Sequence, residues 1–296
     1  MTSPHSRENG LAYALAAYVI WGLLPLYLHQ VHNVPPLEFV GWRTVFSMPI
    51  CLAIVIATRQ GRAIRNALSN PRLAGLLGLS ALLIGGNWTI YVIIINQGHI
   101  YAASLGYYIN PLLNVVLGTL FLNEKLTRAK WIAVALAGVG VAILCSGAWQ
   151  TLGYSLTLAF SFAAYGFLRK KIPVAALPGL TIETCLLTLP AIALIALGHG
   201  PNGIAITQGW TQGLLVAASG LATAVPLLLF TIAAQRMDYS TIGFLQFIAP
   251  TLVFFQGLWL FHEKLERAQL GCFILIWAAL GVFCWDLWQT SKSARA

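Results

Sequence analysis

Apolar runs of about twenty residues follow one another along almost the whole chain, and that feature alone removes most folds from consideration. A helix crossing the ~30 Å hydrocarbon layer needs about 20 predominantly apolar residues. Ten stretches meet the requirement: 11–28, 37–57, 73–95, 102–122, 131–148, 151–168, 179–198, 211–233, 240–261 and 269–288. Only 8% of the 296 residues are charged and 58% are hydrophobic, against roughly 25% charged in a soluble domain. A water-soluble globule cannot hide that much apolar surface, because it must present a wetted exterior. Strands of a membrane barrel would alternate polar and apolar over about ten residues, and no segment here does. The expected fold class is therefore an all-α integral membrane protein of ten transmembrane helices. The run from Leu11 to Leu28 is long for the apolar part of a secretory signal and is read as a retained first helix.

The distribution of charge gives this fold an orientation. Arg59, Arg62, Arg65 and Arg72 lie between spans two and three, and Lys125, Arg128 and Lys130 between four and five. Arg169, Lys170 and Lys171 follow span six, and Arg236 follows span eight. The alternate connections 29–36, 96–101, 149–150 and 199–210 carry neither Lys nor Arg. Basic residues collect on the cytoplasmic side, so both termini are expected there, with 14 of the 17 Lys and Arg residues inside. Lys264 and Arg267 fall outside, and Arg43 lies within a span. This clustering, with aromatics inside or at the ends of apolar runs, excludes nucleic acid as a partner despite the net charge of +9. Membrane lipid is the expected surrounding. Cys51, Cys145, Cys185, Cys272 and Cys284 all sit in apolar segments without a CxxC or metal-ligand spacing, so no metal or cofactor is expected.

The charged connection FLNEKLTRAKW (121–131) recurs as LFHEKLERAQL (260–270), 139 residues later. At the same offset Pro111 matches Pro250, Gly118 matches Gly257, Ser80 matches Ser219 and Asn96 meets Gln235. The chain is thus read as two repeats, 1–148 and 149–296, of five spans each. Five is odd, so the second copy enters the membrane from the opposite face. The connection itself is expected to be a capped helix–turn–helix at the interface. Inverted repeats of this kind are how many secondary transporters build two related conformations around a site near the midplane.

The segments GLAYALAAYVIWGLLPLY (10–27), LIGGNWTIYVIIIN (83–96), ASLGYYINPLLNVVLGTLFLNEKL (103–126) and IGFLQFIAPTLVF (242–254) resemble the RarD-type, chloramphenicol-sensitive permeases. These form part of the EamA branch of the drug/metabolite transporter superfamily, and the resemblance runs from about residue 10 to 288. It implies a bacterial inner-membrane permease of two EamA repeats, with a central cavity lined mainly by spans one, three, four, six, eight and nine. It names no substrate beyond a small solute.

Polar groups inside a bilayer are costly, usually face the bundle interior and mark functional candidates. Asn87 and Trp88 follow Gly85-Gly86 in span three, and the partner of Asn87 at offset 139 is Pro226, which frees a backbone carbonyl in span eight. In span four Tyr107, Tyr108, Asn110, Pro111 and Asn114 cluster, with Asn110 and Asn114 one turn apart on one face. Gln246 and Pro250 occupy related places in span nine, and Tyr165 in span six offers an aromatic wall. The substrate-binding candidates are therefore Asn87, Trp88, Tyr107, Tyr108, Asn110, Asn114, Tyr165 and Gln246. The gating or coupling candidates are Arg43, Glu183, Pro111, Pro226 and Pro250. The bland alternatives are interhelical hydrogen bonds for the amides, packing kinks for the prolines and packing for the tyrosine. Arg43 and Glu183 read as the charges clearly inside spans, differing in depth by roughly 15 Å, so direct pairing is not expected. Snorkelling toward each interface is the bland reading for both, and a proton-carrying role for Glu183 is the sharper one. Asp286, at the inner end of span ten, is expected to be solvated, and Trp131, Trp285 and Trp288 to form an interfacial belt.

Secondary transport by alternating access is the leading expectation. A pump driven by ATP within this chain is excluded by the absence of GxxxxGK[ST]. An intramembrane enzyme is disfavoured by the lack of HExxH and of acidic residues paired at one depth. A channel or lipid scramblase is the remaining alternative, although no ring of like charge appears. Ala133/Ala137 and Gly138/Ala142 in span five fit close packing, within one chain or across a homodimer.

Overall fold

The computed structural model describes residues 4–146, 149–201, 203–260, 262 and 267–293. Among them are twelve α-helices: α1 (Pro4–Gln30), α2 (Pro36–Ala57), α3 (Gly61–Ser69), α4 (Pro71–Asn96), α5 (Ile100–Phe121), α6 (Arg128–Ser146), α7 (Leu152–Lys171), α8 (Ala176–Gly198), α9 (Trp210–Arg236), α10 (Tyr239–Gln246), α11 (Ile248–Trp259) and α12 (Arg267–Ser293). The second copy of the charged connection, Glu263 to Glu266, lies outside the described residues.

The helix starts follow local chemistry. Pro36 opens α2, where its missing N–H would be unsatisfied anyway. Asn70 precedes α4 and its Oδ1 accepts the N–H groups of Arg72 and Leu73 at 3.0 and 3.3 Å. Thr127 does the same for α6, accepting the Lys130 N–H at 3.1 Å. The short α3 lies in the first arginine-rich connection. It exposes Arg62 and Arg65 and tucks Ala67 into a cluster with Leu77, Ile172, Val174 and Ile182.

Nine segments among the described residues are long and apolar enough to cross a membrane, and they coincide with nine of the ten expected spans. The remaining one, the fourth, is the 22-residue helix α5. Its Tyr107, Tyr108, Asn110, Pro111 and Asn114 dilute the apolar run.

The chain packs as two compact units, residues 1–93 with 164–237 and residues 94–163 with 238–296. These are units of packing, distinct from the sequence repeats, and each draws helices from both halves. In the first unit α2 packs on α8 and α9, and α1 on α9. The approach of α2 is close: a Cβ on Gly41 would lie 2.5 Å from Ile195, and one on Gly220 of α9 would meet the Phe46 backbone at 2.5 Å. In the second unit α6 packs on α12 and α5 on α10. Ala133, Ala137 and Gly140 face inward there, with Gly140 against the Cys272 carbonyl.

Candidate functional site

The helical hydrogen bonding of the ninth span is interrupted at one residue, Phe247, which keeps right-handed helical dihedrals (φ −63°, ψ −13°). Helix α10 ends at Gln246 and α11 begins at Ile248, with Phe247 between them. Pro250 accounts for the break, because it cannot donate to the carbonyl of Gln246 and its ring collides with that turn. Restarting at Ile248 places Pro250 in a first helical turn, where no N–H is needed. Pro111 and Pro226, singled out with it, sit inside unbroken helices.

Beside the break, three buried amides form a relay. Asn114 Nδ2 donates to Gln246 Oε1 at 2.7 Å, Gln246 Nε2 to Asn110 Oδ1 at 2.6 Å, and Asn110 Nδ2 to the Ala159 carbonyl at 2.6 Å. The sequence placed Asn110 and Asn114 on one face, and that face meets α10 directly. A Cβ on Gly243 would approach the Pro111 carbonyl to 2.5 Å, so this glycine lets α10 lie close to α5. Among the described residues, the fully buried Asn114 Oδ1 has no hydrogen-bond partner. That oxygen and the Gln246 carbonyl, deprived of its helical donor, are two acceptors at the break. Tyr108 packs edge-on against Phe273 with centroids 5.6 Å apart, whereas Tyr107 is exposed.

The other candidates lie in the first unit and are organised by charge. Glu183 on α8 does not snorkel: it is 1% exposed and pairs with Arg169 of α7, Nε to Oε1 at 3.3 Å. Ser80 donates to the same oxygen, and the Tyr165 hydroxyl donates to Oε2 at 3.3 Å. Arg169 also donates to the Ala176 carbonyl at 3.2 Å. The sequence reading put Arg169 in the connection after span six; it lies instead in the last turn of α7 with its side chain fully buried. Gly179, one turn before Glu183, makes the room; any Cβ there would overlap the guanidinium. Tyr165 is completely buried, stacks on Phe230 at 6.4 Å and closes the charge cluster.

Arg43 does not share that cluster's carboxylate. Its Nε donates to Thr223 Oγ1 at 2.9 Å, and its guanidinium lies 4.7 Å from the centre of the Trp88 ring. Asn87, the neighbour of Trp88, is buried in the same unit. Of the glycines before it, Gly85 admits Leu187, and Gly86 has open space around its Cβ position.

Three carboxylates have partners that the sequence reading did not give. Glu38, at the start of α2, is fully buried. Its Oε1 accepts the Trp42 indole N–H at 2.9 Å and the Ala205 backbone N–H at 2.6 Å. Asp286 is not solvated as expected; it is buried and accepts the Thr127 hydroxyl at 2.8 Å. Glu124 of the repeated connection reaches across the sequence to cap α10, accepting the N–H groups of Tyr239 and Ser240 at 2.6 and 2.8 Å. Gly118 leaves space for it, since a Cβ would stand 2.6 Å from Glu124 Oε2. Helical spacing gave one usable signal: Arg169 is one turn beyond Tyr165, as Gly179 is one turn before Glu183.

Comparison with known proteins places this geometry in context. Residues 8–146 match the profile of the EamA-like transporter family. An uncharacterized transporter of Pseudomonas aeruginosa is 44% identical over 290 residues, with 96% of each chain covered. Protein RarD of Escherichia coli is 40% identical over 293 residues, with 99% of each chain covered. A solved crystal structure superposes with a TM-score of 0.72 at 18% identity, covering 94% of this chain and 96% of that one, a likeness of fold.

Proposed function

The chain belongs to the RarD-type branch of the EamA-like transporter family and is a multi-pass membrane transporter, and from that premise we propose that it is a secondary permease working by alternating access. The reading takes ten spans as two inverted five-helix repeats, in a bacterial inner membrane with both termini cytoplasmic. Its cargo is a small metabolite or drug-like solute. The observation that carries it is the break at Phe247, set beside the buried relay of Asn110, Asn114 and Gln246. Discontinuous helices expose main-chain acceptors at depth, and carriers use such acceptors to hold cargo and to change shape. In this reading Asn114 Oδ1 and the Gln246 carbonyl receive a donor group of the solute. Asn110 and Gln246 re-pair as the break flexes. Tyr108, packed on Phe273, contributes a wall, and Pro250 sets the hinge. Glu183 serves as an anchor through Arg169.

The test is flux in proteoliposomes loaded with labelled amino acids, nucleobases and chloramphenicol, with and without a pH gradient. A carrier gives saturable uptake and counterflow, reduced by Asn114→Ala. Unsaturable flux without counterflow would favour a channel or scramblase and sink the permease reading.

A further inference from the structure

Basic side chains of the first unit fall into two sets. Those at the ends of α7 and α9 are answered by the protein. Arg169 pairs with Glu183 at 3.3 Å, and Lys170 donates to the Ala234 carbonyl at 3.1 Å. Lys171 Nζ lies 5.3 Å from the centre of the Phe167 ring, and the Arg236 guanidinium 5.0 Å from that of Tyr13. Arg59, Arg62, Arg65 and Arg72 differ. All four are exposed, and their guanidinium groups meet no carboxylate or carbonyl among the described residues. The sequence holds no Asp or Glu between Glu38 and Glu124, so the local chain supplies no counter-charge.

The fold gathers these arginines around one short helix. Arg59, at a left-handed φ of 56°, redirects the chain after α2, and Asn70 caps the start of α4. Between them runs α3, Gly61–Ser69. At about 100° per residue, Arg62, Arg65, Asn66 and Ser69 share one face, and Ala63, Ile64, Ala67 and Leu68 share the other. Ile64 and Ala67 seat the apolar face on Leu77, Ile172, Val174 and Ile182. Leu68, at the edge beside Arg65, is left 51% exposed.

We propose that α3 is a membrane-surface helix whose arginine face binds the headgroups of anionic phospholipids, with Leu68 in the acyl boundary. Three features carry it. The helix joins the end of one apolar span, Ala57, to the start of the next, Pro71, which sets it at the level of the headgroups. Its exposed charges are of one sign, and clusters of basic residues next to a span are drawn to an anionic leaflet. The guanidinium fork matches two oxygens of a phosphodiester. Leu68 decides between partners, because a soluble anion has no use for an exposed leucine beside Arg65. A molecule with an anionic head and an apolar tail uses both. The proposal is independent of what the chain carries.

The experiment is native mass spectrometry of the full chain in neutral detergent, titrated with phosphatidylglycerol and, separately, with phosphatidylcholine of the same acyl chains. The first phosphatidylglycerol should bind at least about tenfold more tightly than phosphatidylcholine. That preference should fall severalfold when salt is raised from about 0.05 M to about 0.5 M. Arg62→Gln with Arg65→Gln should weaken phosphatidylglycerol binding by about tenfold and leave phosphatidylcholine unchanged. Lys125→Gln with Arg128→Gln removes as much charge from exposed positions of another basic connection. It should leave the preference within about twofold. Equal binding of the two lipids by the wild-type protein overturns the proposal, whatever the variants do, and leaves the face to an acidic partner in solution. So does a preference indifferent to salt, or to the loss of Arg62 and Arg65. Equal losses in the two double variants would make the attraction a property of net charge and also overturn it. Inorganic phosphate at millimolar concentration should not displace bound phosphatidylglycerol. Displacement would assign the face to a free anion and overturn the headgroup reading.

Discussion

The two compact units bury polar groups by different means. In the unit of residues 1–93 and 164–237 the principal polar cluster is ionic, with Glu183 held by Arg169, Ser80 and Tyr165 and sealed from solvent. In the unit of residues 94–163 and 238–296 it is a relay of neutral amides beside a broken helix. The physical consequences diverge. Separating a buried ion pair strands a charge in a medium of low dielectric, which costs several kcal/mol, so the pair fixes one arrangement. An amide offers two donors and an acceptor and exchanges partners at a cost of about 1 kcal/mol. The comparison predicts that α7 and α8 are pinned, while the junction of α10 and α11 with α5 yields more readily.

The largest test of that contrast is Arg169→Ala. It leaves Glu183 buried without its cation and should lower stability by about 3–5 kcal/mol, read by thermal unfolding in detergent. Adding Glu183→Gln should restore part of the loss. A double variant no better than the single one would mean that the pair is not the source of rigidity. Gly179→Ala comes next, because the new methyl group overlaps the guanidinium. A loss of about 1–3 kcal/mol is expected by the same measurement, and an unaltered melting curve would show that the guanidinium has room to move.

In the other unit the effects should be smaller. Glu124→Ala removes the cap on Tyr239 and Ser240 and should cost about 1–2 kcal/mol. Hydrogen exchange at the first turn of α10 should quicken, and protection there equal to wild type would remove the capping role. The smallest expected change in stability is Asn114→Ala, about 0.6 kcal/mol by analogy with interhelical bonds in membranes. Its effect on flux should nevertheless be clear. If it proved as damaging to stability as Arg169→Ala, the distinction between a pinned and a yielding unit would fail.

Some of this was legible from the residues. Asn110 and Asn114 share a helix face by spacing alone, but their meeting with Gln246 was visible only once α5 and α10 were packed together. Glu124 was expected in a capped connection, but nothing local says that the amides it caps are those of Tyr239 and Ser240. Arg169 sits in RKK next to two ordinary basic residues, and only the orientation of α7 turns it inward while Lys170 reaches the carbonyls of Ala234 and Met237.

Hydropathy is a sum over neighbours along the chain, so the sequence by itself determined that this is a helical membrane protein and where nine of its spans run. Family membership was equally accessible, because the matching motifs extend over the full length. The tertiary structure decided which charges meet. Pairing depends on the rotation and depth of helices far apart in sequence, and those are set by packing such as Gly41 against Ile195 and Gly243 against the Pro111 carbonyl. Proline follows the same rule for the lone chain at Pro111, Pro226 and Pro250. Of the three, only Pro250 stands beside an interruption of the helical hydrogen bonding, at Phe247. Each of these three prolines removes the N–H that would bond the carbonyl four residues earlier, and tertiary contacts determine how the helix accommodates that loss.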